Sequence, residues 1–273
     1  ADLEPFRGGL FRFPHYVNRK SSGPSNPQRR LELLQRGRDV WQGLADQYPD
    51  IAGFSHDLAG LHYYVSGAEV RARDLDASLR SIGKSIEISK RLVERHPENS
   101  QYKRELSLYC TECGTRYELR SDVPQELKLL EFAAQVDPTN PDPHAWMAWV
   151  YANNSDLKIR NPEKAVAFAH KAVDMSPRNA NYWNTLGVAQ FRAGDFRSAV
   201  TSLDESMILR DGGDGFDWYY AAMAYWKLGD KPRAEEFYRK AEAWKQKEQL
   251  TPAQLTGLDA EAKTMLASVA KSP

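Results

Sequence analysis

Cys110 and Cys113 are the residues in this chain best spaced for chemistry. Two thiols three positions apart share one side of a helix, where they could ligate zinc or exchange a disulfide. Zinc needs two further ligands at matching spacing, and no second pair supplies them. A redox Cys-x-x-Cys opens a helix in an α/β setting, which the surrounding pattern lacks. The two cysteines therefore read as apolar residues packed between helices. His56 and His62 are six apart and cannot face one metal from one helix. His144 stands alone, which supports packing or a hydrogen bond. The run from Arg210 to Asp217 carries Gly212, Gly213 and Gly215 beside Asp211 and Asp214. It lacks the Gly-Lys-Ser/Thr ending of a phosphate loop and the spacing and closing Glu of a calcium loop, so it reads as a turn between helices. No nucleophile elbow, His-Glu-x-x-His or acid–base pair appears. The chain is expected to be no enzyme and to need no metal or cofactor.

Composition narrows the partners. Lys plus Arg and Asp plus Glu are 37 each, so no global field draws nucleic acid or an anionic membrane. The apolar fraction of 41% is enough for a core, and 27% charged residues suit a solvated surface. No apolar run approaches the roughly 18 residues of a membrane span. The first residues lack the apolar centre of a signal peptide. Two cysteines are too few for a disulfide framework.

Residues 1–27 differ from the rest. Pro5, Pro14, Pro24 and Pro27 break any helical period. Over residues 1–30, six basic side chains (Arg7, Arg12, Arg19, Lys20, Arg29, Arg30) against Asp2 and Glu4 give 6 − 2 = +4. This reads as an extended basic arm, either a solvated entry segment or one whose Phe6, Leu10, Phe11, Phe13 and Tyr16 pack on the body.

Helical patterning begins at Gln28. Leu33, Leu34, Val40, Trp41, Leu44 and Tyr48 form one stripe that stops at Pro49, and a second copy stops 48 residues later at Pro97. Phe54, Asp57 and Leu58 correspond to Tyr102, Glu105 and Leu106 at the same offset. Residues 28–138 thus hold divergent helical repeats, with elements about a turn longer than those downstream. Gly67 and the stretch near Arg73 are expected to make a corner, and Ser121 or Asp122 to cap a helix with Pro124 in its first turn.

From residue 143 to 248 a shorter rhythm takes over. Trp183, Gly194 and Ala199 return as Trp218, Gly229 and Ala234, each 35 later, while Ala165, Ala172 and Pro177 precede Ala199, Ser206 and Asp211 by 34. Such a period signals stacked helix pairs that cannot bury their apolar faces alone. The expected fold is all-α: an α-solenoid of antiparallel helix pairs. A last helix over 252–270, with Leu255, Leu258, Ala262, Met265, Leu266 and Val269 on one face, would cap the exposed end.

The anchors resemble the tetratricopeptide pattern W-x2-L-G-x2-Y, A-x3-F, P. Trp183, Leu186 and Gly187 precede Ala199 and Leu203; Trp218 and Tyr225 precede Ala234 and Tyr238; Trp146 precedes Ala165, Ala169 and Pro177. In this alignment Gln190 and Asn153 occupy the tyrosine position, and three extra residues lengthen the corner before Pro162. The segments NPEKAVAFAHKAV, NYWNTLGVAQFRAGDFRSAV and GGDGFDWYYAAMAYWKLGD also resemble the C-terminal tetratricopeptide region of certain bacterial serine/threonine protein kinases. That region serves as a docking or regulatory segment in the family. The kinase signatures themselves are absent.

The resemblance implies a right-handed superhelix whose first helices line a concave groove. Its geometry points His144, Met147, Tyr151, Asn184, Val188, Phe191, Tyr219, Met223 and Trp226 inward as the partner-binding row. The carboxylate clamp of chaperone-binding relatives is matched only at Asn184 and is not carried over. Two functions follow as expectations. One is a scaffold holding a protein or peptide partner in the groove. The other is a structural or self-associating array whose groove is filled by its own N-terminal arm or by another copy. A cytoplasmic place is expected, or an extracytoplasmic one within a membrane-anchored kinase.

Overall fold

Asparagine or aspartate caps eight of the twelve helices among the described residues. Asp74, Asn99, Asp122, Asn161, Asn179, Asp195, Asp214 and Asp230 each stand at an N-cap with the side chain accepting a backbone N–H. A computed structural model describes residues 27–249, 255 and 257–267. The expected arm lies outside the described residues except for its last position, and so do parts of the expected 252–270 helix. Every regular element among the described residues is an α-helix.

Two compact units meet at Asn140 and Pro141. The first holds α1 (Pro27–Gln47), α2 (Ala52–Arg71), α3 (Leu75–Arg95), α4 (Ser100–Glu118) and α5 (Val123–Val136). The second holds α6 (Asp142–Asn153), α7 (Pro162–Met175), α8 (Ala180–Arg192), α9 (Phe196–Leu209), α10 (Gly215–Lys227), α11 (Lys231–Lys247) and α12 (Leu258–Ala267). Helices α2 and α3, and α4 and α5, are packed pairs in the first unit; α6/α7, α8/α9 and α10/α11 are the pairs of the second.

All five pairs turn the same kind of corner, closed by a backbone N–H reaching back into the finished helix. Asp74 N–H donates to the Glu69 carbonyl at 2.9 Å, Asp122 to Tyr117 at 2.9 Å, Asn161 to Tyr151 at 2.9 Å, Asp195 to Gln190 at 3.0 Å and Asp230 to Tyr225 at 3.0 Å. The residue before the capping aspartate takes a left-handed φ, +83° at both Gly194 and Gly229. In the first unit Arg73 (φ 63°) and Ser121 (φ 58°) do the same job without glycine. Gly67 is therefore not the corner: α2 runs straight through it to Arg71.

Equivalent serines also tie the pairs together. Ser85 donates to the Ala59 carbonyl at 2.7 Å, and Ser206 to that of Ala180 at 3.0 Å. In α4/α5 the same bond is reversed, with Ser107 donating to Ala133 at 2.9 Å. Measured from these anchors, α2 and α4 begin seven residues earlier than α8, and α3 ends seven residues later than α9. The added length is about two turns rather than the single turn expected from sequence.

The extensions carry their own polar clamp. The His56 ring sits between Asp57 (3.4 Å) and Glu105 of α4 (2.7 Å), and Trp41 Nε1 of α1 donates to Asp57 at 3.1 Å. Burial pulls the His56 pKa down, but the hydrogen bonds to Asp57 and Glu105 outweigh it and carry it up to about 9. Cys110 and Cys113 lie in the apolar core of this unit, and burial pushes their thiols up to about 12 and 11.

Candidate partner-binding site

The common corner bond fixes which residues are equivalent. Tyr151, Gln190 and Tyr225 are the acceptors of that bond in the three pairs of the second unit. Their surroundings agree. Tyr151 stacks on Phe168 with ring centroids 5.8 Å apart, and Tyr225 on Phe237 at 5.6 Å. Gln190 instead accepts from Ser202 at 2.7 Å. Ten residues separate Tyr151 from Asn161 where five separate Gln190 from Asp195, so the inserted bulge is five residues, not three. The tyrosine position belongs to Tyr151 rather than Asn153, and His144, not Trp146, matches Trp183 and Trp218.

This moves the expected row in α6 by two residues. The counterparts of Asn184, Val188 and Phe191 are Ala145, Trp149 and Ala152, whereas His144, Met147 and Tyr151 belong to other faces. His144 and Tyr151 both stack on Phe168 of α7, and Met147 is buried. In α8 and α10 the expected residues hold the expected positions but do not present an open surface. Val188, Phe191, Tyr219 and Met223 are buried in one apolar cluster with Leu255, Leu258 and Ala262 of the C-terminal segment. Asn184 is half-buried and donates to Asp217 at 2.7 Å. Trp226, also half-buried, carries the Lys231 ammonium 5.6 Å from its ring centroid.

Asp214, which begins α10, completes a capping box with Asp217. The glycine–aspartate run is thus a helix start.

In the first unit the same register leads to an open face that sequence reasoning missed. Glu69 and Tyr117 are the corner acceptors, which makes Tyr63, Gly67 and Val70 of α2 and Thr115 of α4 equivalent to the row just described. These four residues line a cavity of about 380 Å³ with Tyr64, Arg71, Glu112, Arg116, Leu119 and, from α1, Arg30. Gly67 makes the room: a Cβ built there would meet nothing within 4 Å. Tyr63 is held against its aromatic neighbours, 5.0 Å from Tyr109 and 5.5 Å from Tyr64 between ring centroids. Leu119 is 64% exposed at the rim.

Arg116 is the buried strut of this face. It pairs with Glu112 at 2.8 Å, and its Nε lies 3.3 Å from the hydroxyls of both Ser66 and Ser78. One guanidinium therefore joins α2, α3 and α4. Among the described residues Glu112 is the one carboxylate lining the cavity, against Arg30, Arg71 and Arg116. Burial lowers the Arg30 pKa, and the nearby Arg71 charge lowers it further. Burial raises the Tyr63 and Tyr64 phenols, so both stay neutral donors at physiological pH. The arrangement offers aromatic surface, a glycine gap and cationic rims; it offers no activated nucleophile.

Stacked antiparallel helix pairs of this kind define an all-α solenoid fold of the tetratricopeptide type. The tetratricopeptide repeat family model matches residues 218–248, the bulk of α10 and all of α11. BtubC (BKLC) from P. vanneervenii is similar in structure, with a TM-score of 0.66 and 13% identity over 83% of this chain and 94% of that one. Residues 41 to the end of MamA from Desulfovibrio magneticus RS-1 give 0.52 and 14%, over 70% and 97%. TTC0263, a thermophilic TPR protein of Thermus thermophilus, gives 0.48 and 16%, over 77% and 99%. At these identities the first two likenesses are ones of fold alone. No curated protein sequence matches the chain. No described helix is long and apolar enough to cross a membrane.

Proposed function

We propose that the chain is a non-catalytic protein-interaction scaffold and that its partner docks in the Tyr63–Gly67–Val70 face of the first unit. The observation that carries this is the open cavity at positions which, in the second unit, are covered by the chain's own C-terminal segment. Repeat folds of this type generally serve interaction rather than catalysis. The aromatic floor suits an apolar side chain of a peptide, and exposed Arg71 at the rim favours an acidic neighbour beside it. The sequence resemblance to the kinase C-terminal region would make the face a docking element of a longer protein.

Gly67→Phe tests the reading, because a Cβ at this lining position meets no atom within 4 Å and a bulky side chain there takes up cavity space. Affinity capture with the wild-type chain, Gly67→Phe, Tyr63→Ala and Trp226→Ala should recover partners that the first two variants lose and the third retains. Equal recovery by all four proteins would refute the assignment of this face.

A further inference from the structure

The corresponding face of the second unit already has an occupant, and that occupant defines what else fits. The first helix of a regular next repeat leans mainly on the second helix of the preceding pair, as α10 does on α9. Helix α12 does the reverse: it leans mainly on α10 and only lightly on α11. Its apolar side, with Leu258 and Ala262 following Leu255, joins Val188, Phe191, Tyr219 and Met223 in a single cluster, with Met265 packed against it.

Its polar edge is charge-matched to the receptor. Both Glu261 carboxylate oxygens accept from the Arg192 guanidinium, Oε2 at 2.8 Å. Lys245 of α11 holds Asp259. Arg192 is fixed beforehand by Asn153 Oδ1 at 3.1 Å and the Tyr220 hydroxyl at 3.2 Å, so α6, α8 and α10 together present the cation. The described part of α12 is 10 residues, a length at which an isolated helix is marginal in water, so its packing on α10 is what supports it.

We propose that the concave face of the second unit is a docking surface for an acidic amphipathic helix, with α12 as its resident ligand. A partner helix displaces α12 by supplying apolar side chains at the spacing of Leu258, Ala262 and Met265, and acids placed for Lys245 and Arg192. This surface is separate from the open face of the first unit, and either assignment can fail alone.

The probe is a labelled synthetic peptide of residues 252–270, titrated by fluorescence anisotropy against full-length chains. Glu261→Lys in the chain weakens the resident helix, so this variant should bind the peptide at least tenfold more tightly than wild type does. A peptide carrying Glu261→Lys should be rejected by that chain but accepted by Arg192→Glu. Failure of the Glu261→Lys chain to bind, or equal binding of an uncharged amphipathic peptide, would overturn the proposal. Should that chain fail to fold, native-state hydrogen exchange on the wild type decides. Amides of α12 exchanging well before those of α10 and α11 support a releasable ligand; exchange in one step with them makes α12 an integral part of the unit and sinks it.

Discussion

Gly67 and Gly187 sit inside helices of equivalent pairs, yet alanine should act on them in opposite directions. At Gly67 the added methyl meets no atom within 4 Å. Only the backbone term remains, and alanine is favoured over glycine in a helix interior by about 0.8–1.0 kcal/mol. Gly67→Ala should therefore stabilise the first unit by roughly 0.5–1 kcal/mol. A unit of this size would gain about 2–5 °C in Tm. At Gly187 the same methyl would lie 2.7 Å from Leu203 Cγ and 3.2 Å from the Ala199 carbonyl oxygen. Leu203 is fully buried and the oxygen belongs to the α9 backbone, so neither yields easily. Overpacking of this kind costs about 1–3 kcal/mol, which exceeds the propensity gain and leaves a net loss of about 0.5–2 kcal/mol. Urea unfolding followed by hydrogen exchange, read unit by unit, measures both. A destabilised Gly67→Ala, or a Gly187→Ala more stable than wild type, would show that the helix contacts are not as described.

Three further outcomes are expected. The His56 pKa rises from 6.5 to about 9 on folding, so its clamp is fully stabilising below pH 6.5 and fades as pH climbs through 9. That contribution is about 3 kcal/mol; His56→Gln should remove the slope between pH 6.5 and 9, and an unchanged profile in urea titrations would contradict the clamp. Cys110 and Cys113 should resist thiol reagents at pH 8 in the native chain and react together on unfolding, since burial holds both as thiols; prompt native labelling would argue against their burial. Asp195→Ala removes the acceptor of the Ser198 N–H at 3.1 Å and should cost about 1 kcal/mol, whereas loss beyond ~2 kcal/mol would mean the corner does more than cap α9.

The helix pairs were legible because their signals are local. Asp195 and Asp230 follow glycines, Asp122 precedes a first-turn proline, and Ala199 and Ala234 recur where backbones approach. The register of α6 was not legible, because Trp146 imitates the motif two positions from where the corner bond places it. An indole at the wrong phase looks the same in sequence as one at the right phase. The open face escaped notice for a related reason: its corners use Arg73 and Ser121 in left-handed backbone, so the glycine signal was missing, and Gly67 was grouped with the stretch near Arg73 as corner rather than as face. Val188, Phe191, Tyr219 and Met223 share their apolar cluster with a helix that packs back on α10, and periodicity says nothing about such a return.

The lengths of the additions to the repeats have a geometric consequence. Each residue turns an α-helix by about 100°, so seven residues rotate it by nearly two whole revolutions and leave a drift of only about 20°. Lengthening α2, α3 and α4 in that step extends their buried and exposed stripes without exchanging them. Five residues would swing a helix by about 140° past a full revolution and carry its inner face outward. The third pair received five, and they are excluded from both helices within the loop 154–160. Additions to this fold thus divide into those that keep rotational phase, which helices absorb, and those that do not, which emerge as loops.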